Sequence, residues 1–159
     1  MEICHYKVQR MKKLFFLFLS VLMVSVAFAQ NPVSWSFASK KVGENVYEVR
    51  LTAAIQPGWH LYSQNQPEDA IAIPTTFNFN NNPLLSIDGK TKEVGKLEKY
   101  KDATLGVTAN QYSNKVDFVQ VVKVKGKAKT NVTGKLEYQT CDDKKCLPPK
   151  TVNFSIALK

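Results

Sequence analysis

Lys115-Val116-Asp117-Phe118-Val119-Gln120-Val121-Val122-Lys123-Val124-Lys125 is the stretch that decides the fold class. It is too rich in β-branched residues for a surface helix, and with Val116, Phe118, Val121 and Val124 among its apolar positions it reads as a strand. Outward from it the same pattern recurs. Asn45–Ile55 alternates Val46, Glu48 and Arg50 against Tyr47, Val49 and Leu51, and Pro57-Gly58 supplies a turn. Trp59–Ser63 is a short strand, and Ile71–Phe79 is another, closed by Asn80-Asn81-Asn82-Pro83. Asn131–Thr140 sets Val132, Leu136 and Tyr138 among polar neighbours, and Thr151–Leu158 puts Val152, Phe154 and Ile156 on one face. No window of a dozen residues carries a helical apolar stripe. Strands punctuated by turns over some 130 residues predict an all-β, antiparallel, immunoglobulin-like β-sandwich. Internal repeats, low-complexity stretches and interdomain linkers are absent from the sequence.

The chain has 159 residues, 44% of them hydrophobic and 22% charged, which excludes disordered and collagenous classes. Lys12 and Lys13 precede the apolar run Leu14–Val26, and Ala27-Phe28-Ala29 follows with Gln30. A charged start, a short apolar run and a small-x-small end predict a secretory signal peptide over residues 1–29 and a mature domain over 30–159. The apolar run is shorter than the ~20 residues a membrane-spanning helix needs. Met11 is the expected start, and no cysteine follows the cleavage site to carry a lipid. Loss of residues 1–29 removes four basic side chains and one acidic one, taking the net charge from +9 to +6. Lys123, Lys125, Lys127 and Lys129 alternate with small or apolar residues and share a face if the strand runs that far. With no interleaved stacking aromatics, this is read as a solvated, lysine-protected strand rather than a nucleic-acid stripe.

Cys4 lies before the signal, so an exported chain keeps Cys141 and Cys146, an even pair in an oxidising compartment. They sit in Tyr138-Gln139-Thr140-Cys141-Asp142-Asp143-Lys144-Lys145-Cys146-Leu147-Pro148-Pro149. β-patterned flanks around a four-residue polar loop predict a hairpin whose mouth sets the cysteines face to face, at ~4.5–5.5 Å between Cα atoms, within disulfide reach. So short a loop gains little chain-entropy stabilisation from the bond. Spacing alone leaves a structural and a redox-active disulfide both open. His60 is the mature chain's single histidine, a candidate proton acceptor whose ordinary role in a strand is packing. One histidine and two cysteines fall short of a zinc ligand set, so neither metal nor cofactor is expected. Ser/His/Asp elbows and Gly-rich phosphate loops are missing, and Asn131-Val132-Thr133 fits a glycosylation acceptor only formally.

Tyr138-Gln139 before the cysteine pair and Leu147-Pro148-Pro149 after it resemble the N-terminal periplasmic domain of the thiol:disulfide interchange protein DsbD. Pro57-Gly58-Trp59-His60-Leu61-Tyr62 resembles that family's Gly-aromatic-x-Leu-Tyr segment, and the order and intervals agree over Val33–Leu158. The resemblance implies an immunoglobulin-like domain whose two cysteines pass electrons from a membrane-embedded thiol reductase to periplasmic thioredoxin-like proteins. Carried over, Cys141 and Cys146 are the redox pair, Tyr62, His60 and Trp59 line it, and Asp102, Thr104 and Leu105 belong to a short cap loop. The sequence departs from the best-known members in a shorter intercysteine loop, in His60 where they have a second tyrosine, and in Thr104 and Leu105 where their cap has an aromatic. The family's multi-span membrane domain and thioredoxin-like domain have no counterpart here, which implies a free-standing monomeric carrier with a separate donor.

The charges beside the cysteines make a further expectation. Lys144 and Lys145 adjoin Cys146 and favour a thiolate there, whereas Asp142 and Asp143 follow Cys141. Cys146 is then the leaving thiolate, and Cys141 the attacked and more accessible sulfur. The competing reading of the whole chain is a β-sandwich binding or adhesion module with a structural disulfide, using Trp59 and other aromatics to hold a ligand.

Overall fold

Period-2 alternation builds the core. The computed structural model describes residues 31–101, 106–126 and 129–158. Strands β1 (Val33–Gly43), β2 (Val46–Ile55), β5 (Leu85–Gly95) and β8 (Lys115–Val124) form one antiparallel sheet in the order β1-β2-β8-β5. Val49, Leu51, Ala53 and Ile55 of β2 and Val116, Phe118 and Val122 of β8 point inward and are buried. Thus β8 buries Val116, Phe118, Gln120, Val122 and Val124 on one face, and Val119, on the same face as Val121, on the other.

Gln120 occupies an inward position yet is 1% exposed, and its amide is fully used. Its Nε2 donates to the carbonyls of Asp88, Gly89 and Val121, and its Oε1 accepts from Thr91 Oγ1 at 2.8 Å. These bonds fill the register shift in β5 between Asp88 and Lys92, where the ladder cannot satisfy the backbone.

The opposing layer has two parts. β3 (His60–Tyr62), β6 (Glu98–Lys101), β7 (Thr108–Ser113) and β10 (Thr140–Cys141) run in the order β10-β3-β7-β6. β4 (Thr76–Phe79), β9 (Asn131–Tyr138) and β11 (Lys150–Ala157) run in the order β11-β9-β4. Leu61 and Tyr112 from the first part, and Val132, Leu136, Tyr138, Phe154 and Ile156 from the second, join β1, β2 and β8 in one apolar cluster. Aromatic contacts cross it: Trp35 meets Phe118 and Tyr138, Phe77 meets Phe118, and Phe37 meets Phe154. The layers are also clasped at one edge by Glu93 of β5. Its carboxylate accepts from Ser63 Oγ, the Gln64 amide and Tyr112 Oη at 2.6–2.7 Å. Burial first, then the Glu93 bond and charge, push the Tyr112 phenol above its ordinary pKa, so it stays a donor.

The antiparallel sandwich expected from the sequence is the fold, and no described residue is helical. Several boundaries differ. Ile71–Phe79 yields only Thr76–Phe79 as strand, because Pro74 has no N–H for a ladder. β1, β5, β6 and β7 carry too many polar or small residues to stand out in the sequence. The lysine alternation does not continue as a strand: β8 ends at Val124, Gly126 turns the chain at φ 73°, and Lys123 pairs with Asp88 at 2.9 Å. Lys127 lies outside the described residues, as does the expected signal segment.

Two expectations for stability follow from this packing. A Cβ on Gly134 of β9 would stand 2.7 Å from Phe154 Cζ and closer still to the Asn78 carbonyl oxygen. Gly134→Ala should therefore cost about 1–3 kcal/mol as overpacking, seen as a lower urea midpoint at unchanged slope. A parent-like midpoint would show that β4 and Phe154 yield freely. Burial alone would raise the Asp117 pKa, but bonds from Thr52 and Arg50 outweigh it and hold the carboxyl below its ordinary 3.8. Its folded pKa lies below its unfolded one, so this stabilisation exists above the unfolded value and is lost as pH falls through the folded one. Asp117→Asn should flatten the acid limb of the stability profile below about pH 4; an unchanged limb would place the acid sensitivity elsewhere.

Candidate redox site

Thr140 and Cys141 pair with Leu61 and His60 of β3, which pairs on its other side with Gln111–Ser113 of β7. After Cys141 the chain turns and returns, so that Cys146 bridges Cys141 in antiparallel sense. The flanking pairs carry the hydrogen bonds: Asp142 N donates to the Lys145 carbonyl, and Leu147 N to that of Thr140, each at 2.9 Å. The cysteines therefore occupy the intervening non-hydrogen-bonded pair, where strands approach most closely. Their Cα atoms are 4.0 Å apart and their sulfurs are joined. The hairpin expected from the four-residue loop is present.

Local side chains explain the turn. Asp142 Oδ1 accepts from the Lys144 and Lys145 amides at 2.8 and 2.7 Å, an Asx turn that closes the loop. Chiefly the Lys144 amide bond, with that to Lys145, lowers the Asp142 pKa, so the carboxylate stays charged and committed to backbone. Gln139 Nε2 donates to the Leu147 carbonyl at 3.2 Å and ties the hairpin base.

Alternation in β3 sets what faces the sulfurs. Leu61 points into the main core at 0% exposure, so His60 and Tyr62 face the other way. Tyr62 Oη donates to Cys141 Sγ at 3.1 Å and lies 4.0 Å from Cys146 Sγ. The rings of His60 and Tyr62 meet edge-on with centroids 5.4 Å apart. Tyr62, Ala109 and Cys141 form a small second cluster, with Ala72 packed against it. Thr75 Oγ1 donates to the Tyr62 carbonyl at 2.6 Å and fixes the strand's exit. Burial, then Tyr100, pushes the Tyr62 phenol pKa up, which keeps its proton available for the sulfur. Burial lowers the His60 pKa, while Asp143, Asp142 and Glu98 pull it upward.

The two sulfurs are not equivalent. Cys141 is 2% exposed, whereas Cys146 is exposed on the returning arm. The expectation that Cys141 is the more accessible is overturned. Sequence-adjacent charge does not govern here: β10 is laddered to β3 and turns Cys141 onto Tyr62, while Cys146 makes only the isolated bridge. Trp59 packs against the main core together with Leu61, away from the His60 and Tyr62 face. Asp102, Thr104 and Leu105 lie outside the described residues. Ala72, Ala109 and Glu98 were not singled out in the sequence; single alanines and a surface carboxylate carry no motif.

Tyr62→Phe removes the one side-chain donor to Cys141 among the described residues. A hydrogen bond to a charged group contributes about 1.5–3 kcal/mol, so reduction of the disulfide by dithiothreitol should slow roughly tenfold to a hundredfold. The oxidised protein should lose no more than the ~1 kcal/mol of a neutral bond. Equal reduction rates in stopped-flow would remove Tyr62 from the chemistry.

Comparisons with known proteins bear on the fold and the family. The N-terminal domain of DsbD from Neisseria meningitidis, solved in its reduced form, superposes with a TM-score of 0.52 at 20% identity, over 79% of this chain and 85% of that one. The N-terminal periplasmic domain of ScsB from Proteus mirabilis gives 0.54 at 18% identity, over 81% of this chain and 47% of that one, so the chain spans about half its length. The complex between the DsbD and PilB N-terminal domains from Neisseria meningitidis gives 0.49 at 17%, over 82% and 87%. No curated protein matches the chain. The family described as "Thiol:disulfide interchange protein DsbD, N-terminal" matches residues 29–158. With its immunoglobulin-like sandwich and its Cys141–Cys146 disulfide, the chain belongs to the family of DsbD N-terminal domains, whose chemistry is thiol:disulfide interchange.

Proposed function

We propose that this chain is an exported electron carrier in which Cys146 is the sulfur that partners attack and Cys141 the one that leaves. The observation that carries the reading is the asymmetry of the pair: an exposed Cys146 joined to a buried Cys141 that already holds a hydrogen bond from Tyr62. A donor thiolate reaches Cys146 Sγ in line with the S–S bond, and the bonding pair departs on Cys141 Sγ. There the Tyr62 hydroxyl stabilises the new thiolate, and a stabilised leaving group departs faster. A second donor thiol then resolves the mixed disulfide, leaving the donor oxidised and the cysteines reduced. The same steps reversed pass the electrons on to an acceptor disulfide.

Family membership supports a reading of donor and acceptor. The membership supports a membrane-embedded thiol reductase as donor and periplasmic thioredoxin-like proteins as acceptors, with residues 1–29 directing export. Oxidoreductase chemistry of this kind needs no cofactor, because the cysteines themselves carry the electrons.

The test separates the sulfurs. Cys141→Ala, which keeps the exposed Cys146, should accumulate a covalent complex with a thioredoxin-like protein whose single active-site cysteine is activated as its thionitrobenzoate mixed disulfide, the thionitrobenzoate thiolate leaving. Cys146→Ala should accumulate little. The opposite pattern on a non-reducing gel would reverse the assignment. No complex with either variant, together with a reduction potential below about −300 mV, would mark the bond as structural.

A further inference from the structure

His60 is a titratable group on the face that carries Cys141, and the exchange chemistry above does not use it. It is the ladder partner of Cys141 across β10 and β3. Directly opposed residues on adjacent strands have Cβ atoms about 4.5–5.5 Å apart. Its ring edge meets the ring of Tyr62, the residue that donates to Cys141 Sγ. The imidazole is half-buried, so a change of charge at the sulfur is poorly screened from it.

We infer that His60 is the proton acceptor coupled to reduction, so that the reduced site holds a Cys141 thiolate beside a protonated His60. This rests on the proposed exchange chemistry and adds its proton balance. A donor dithiol supplies two electrons and two protons. The S–S bond breaks, the donor's own S–S bond forms, one proton ends on the Cys146 thiol and the other on the His60 imidazole. Atoms and charge balance without a further reactant.

The groups around His60 favour this outcome only in the reduced state. On β10 and its turn stand Cys141, Asp142 and Asp143; Glu98 on β6 is held by Ser113 Oγ of β7, itself the other ladder partner of His60, at 2.8 Å. Tyr62 flanks it on β3. In the oxidised site burial outweighs the three carboxylates, and the imidazole is pulled below its ordinary pKa. Reduction adds a fourth negative charge, on the residue directly opposite His60 in the ladder, and a thiolate and an imidazolium side by side lower each other's cost. Tyr62 serves the same state by donating to the thiolate. The coupling is reciprocal: whatever raises the proton affinity of His60 on reduction must equally stabilise the thiolate when His60 is protonated.

The experiment is an NMR titration of the His60 ring protons, assigned by their absence in His60→Gln, in the air-oxidised protein and after reduction by dithiothreitol. The expected result is a His60 pKa at least about one unit higher in the reduced protein, a tenfold gain in proton affinity. Alongside it, the equilibrium constant with glutathione for the parent relative to His60→Gln should change about tenfold between pH 8 and pH 5. His60→Tyr, which keeps an aromatic against Tyr62, should behave as His60→Gln does and so separates proton uptake from packing. An identical His60 titration in both states overturns the inference and leaves the exchange function standing. Because dithiothreitol reduces the pair directly, failure of the protein to exchange with thioredoxin-like partners would instead count against the proposed function.

Discussion

Everything at the redox site depends on the ladder bonds that hold the three residues of β3 between β10 and β7. A strand so short cannot be stable by itself; it exists because both its edges are paired and because Leu61 is buried in the common core. Once Leu61 is fixed inward, the pleat leaves His60 and Tyr62 no choice but the opposite face, and the register sets Cys141 directly across from His60. The chemistry is thus anchored by an aliphatic side chain that never touches it. Thr75, bonded to the Tyr62 carbonyl, and Glu93, bonded to Ser63 and Gln64, hold the chain just beyond.

The same arrangement divides labour between the sulfurs. A laddered strand buries one cysteine, and a returning arm with a single bridge exposes the other. In the proposed exchange, exposure selects the sulfur a bulky partner reaches, and the donor from Tyr62 selects the sulfur that carries charge away. Charges adjacent in sequence play no such part, since Asp142 spends its carboxylate on the turn and Lys144 and Lys145 are exposed on the loop.

Much of this was legible in the sequence. Alternation in β2, β8, β9 and β11 named the fold class, and the cysteine spacing with its β flanks named the hairpin. The pairing of Tyr62 with the sulfurs needed only the pleat and the family resemblance. The strands that escaped notice, β1, β5, β6 and β7, are those whose buried side chains are few or whose inward positions are polar. Gln120 is the clearest case: an amide in a core position looks like a break in the pattern until the irregular ladder opposite it is known. The relative accessibility of the sulfurs was misread for a related reason. Burial of Cys141 comes from a strand some eighty residues away, and no local count of lysines and aspartates contains that information. Trp59 likewise belongs with Leu61 because of where β3 lies in its sheet.

The turn between the cysteines has a consequence for how the site is presented. Its shape is kept by Asp142 on the Lys144 and Lys145 amides, by the Asp142–Lys145 and Leu147–Thr140 backbone bonds, and by Gln139 on Leu147. None of these involves sulfur. Opening the disulfide breaks none of them, so the hydrogen-bonded frame of the loop does not depend on the S–S bond. For a carrier of the proposed kind, such a frame would present Cys146 to its partners from one fixed turn before and after exchange.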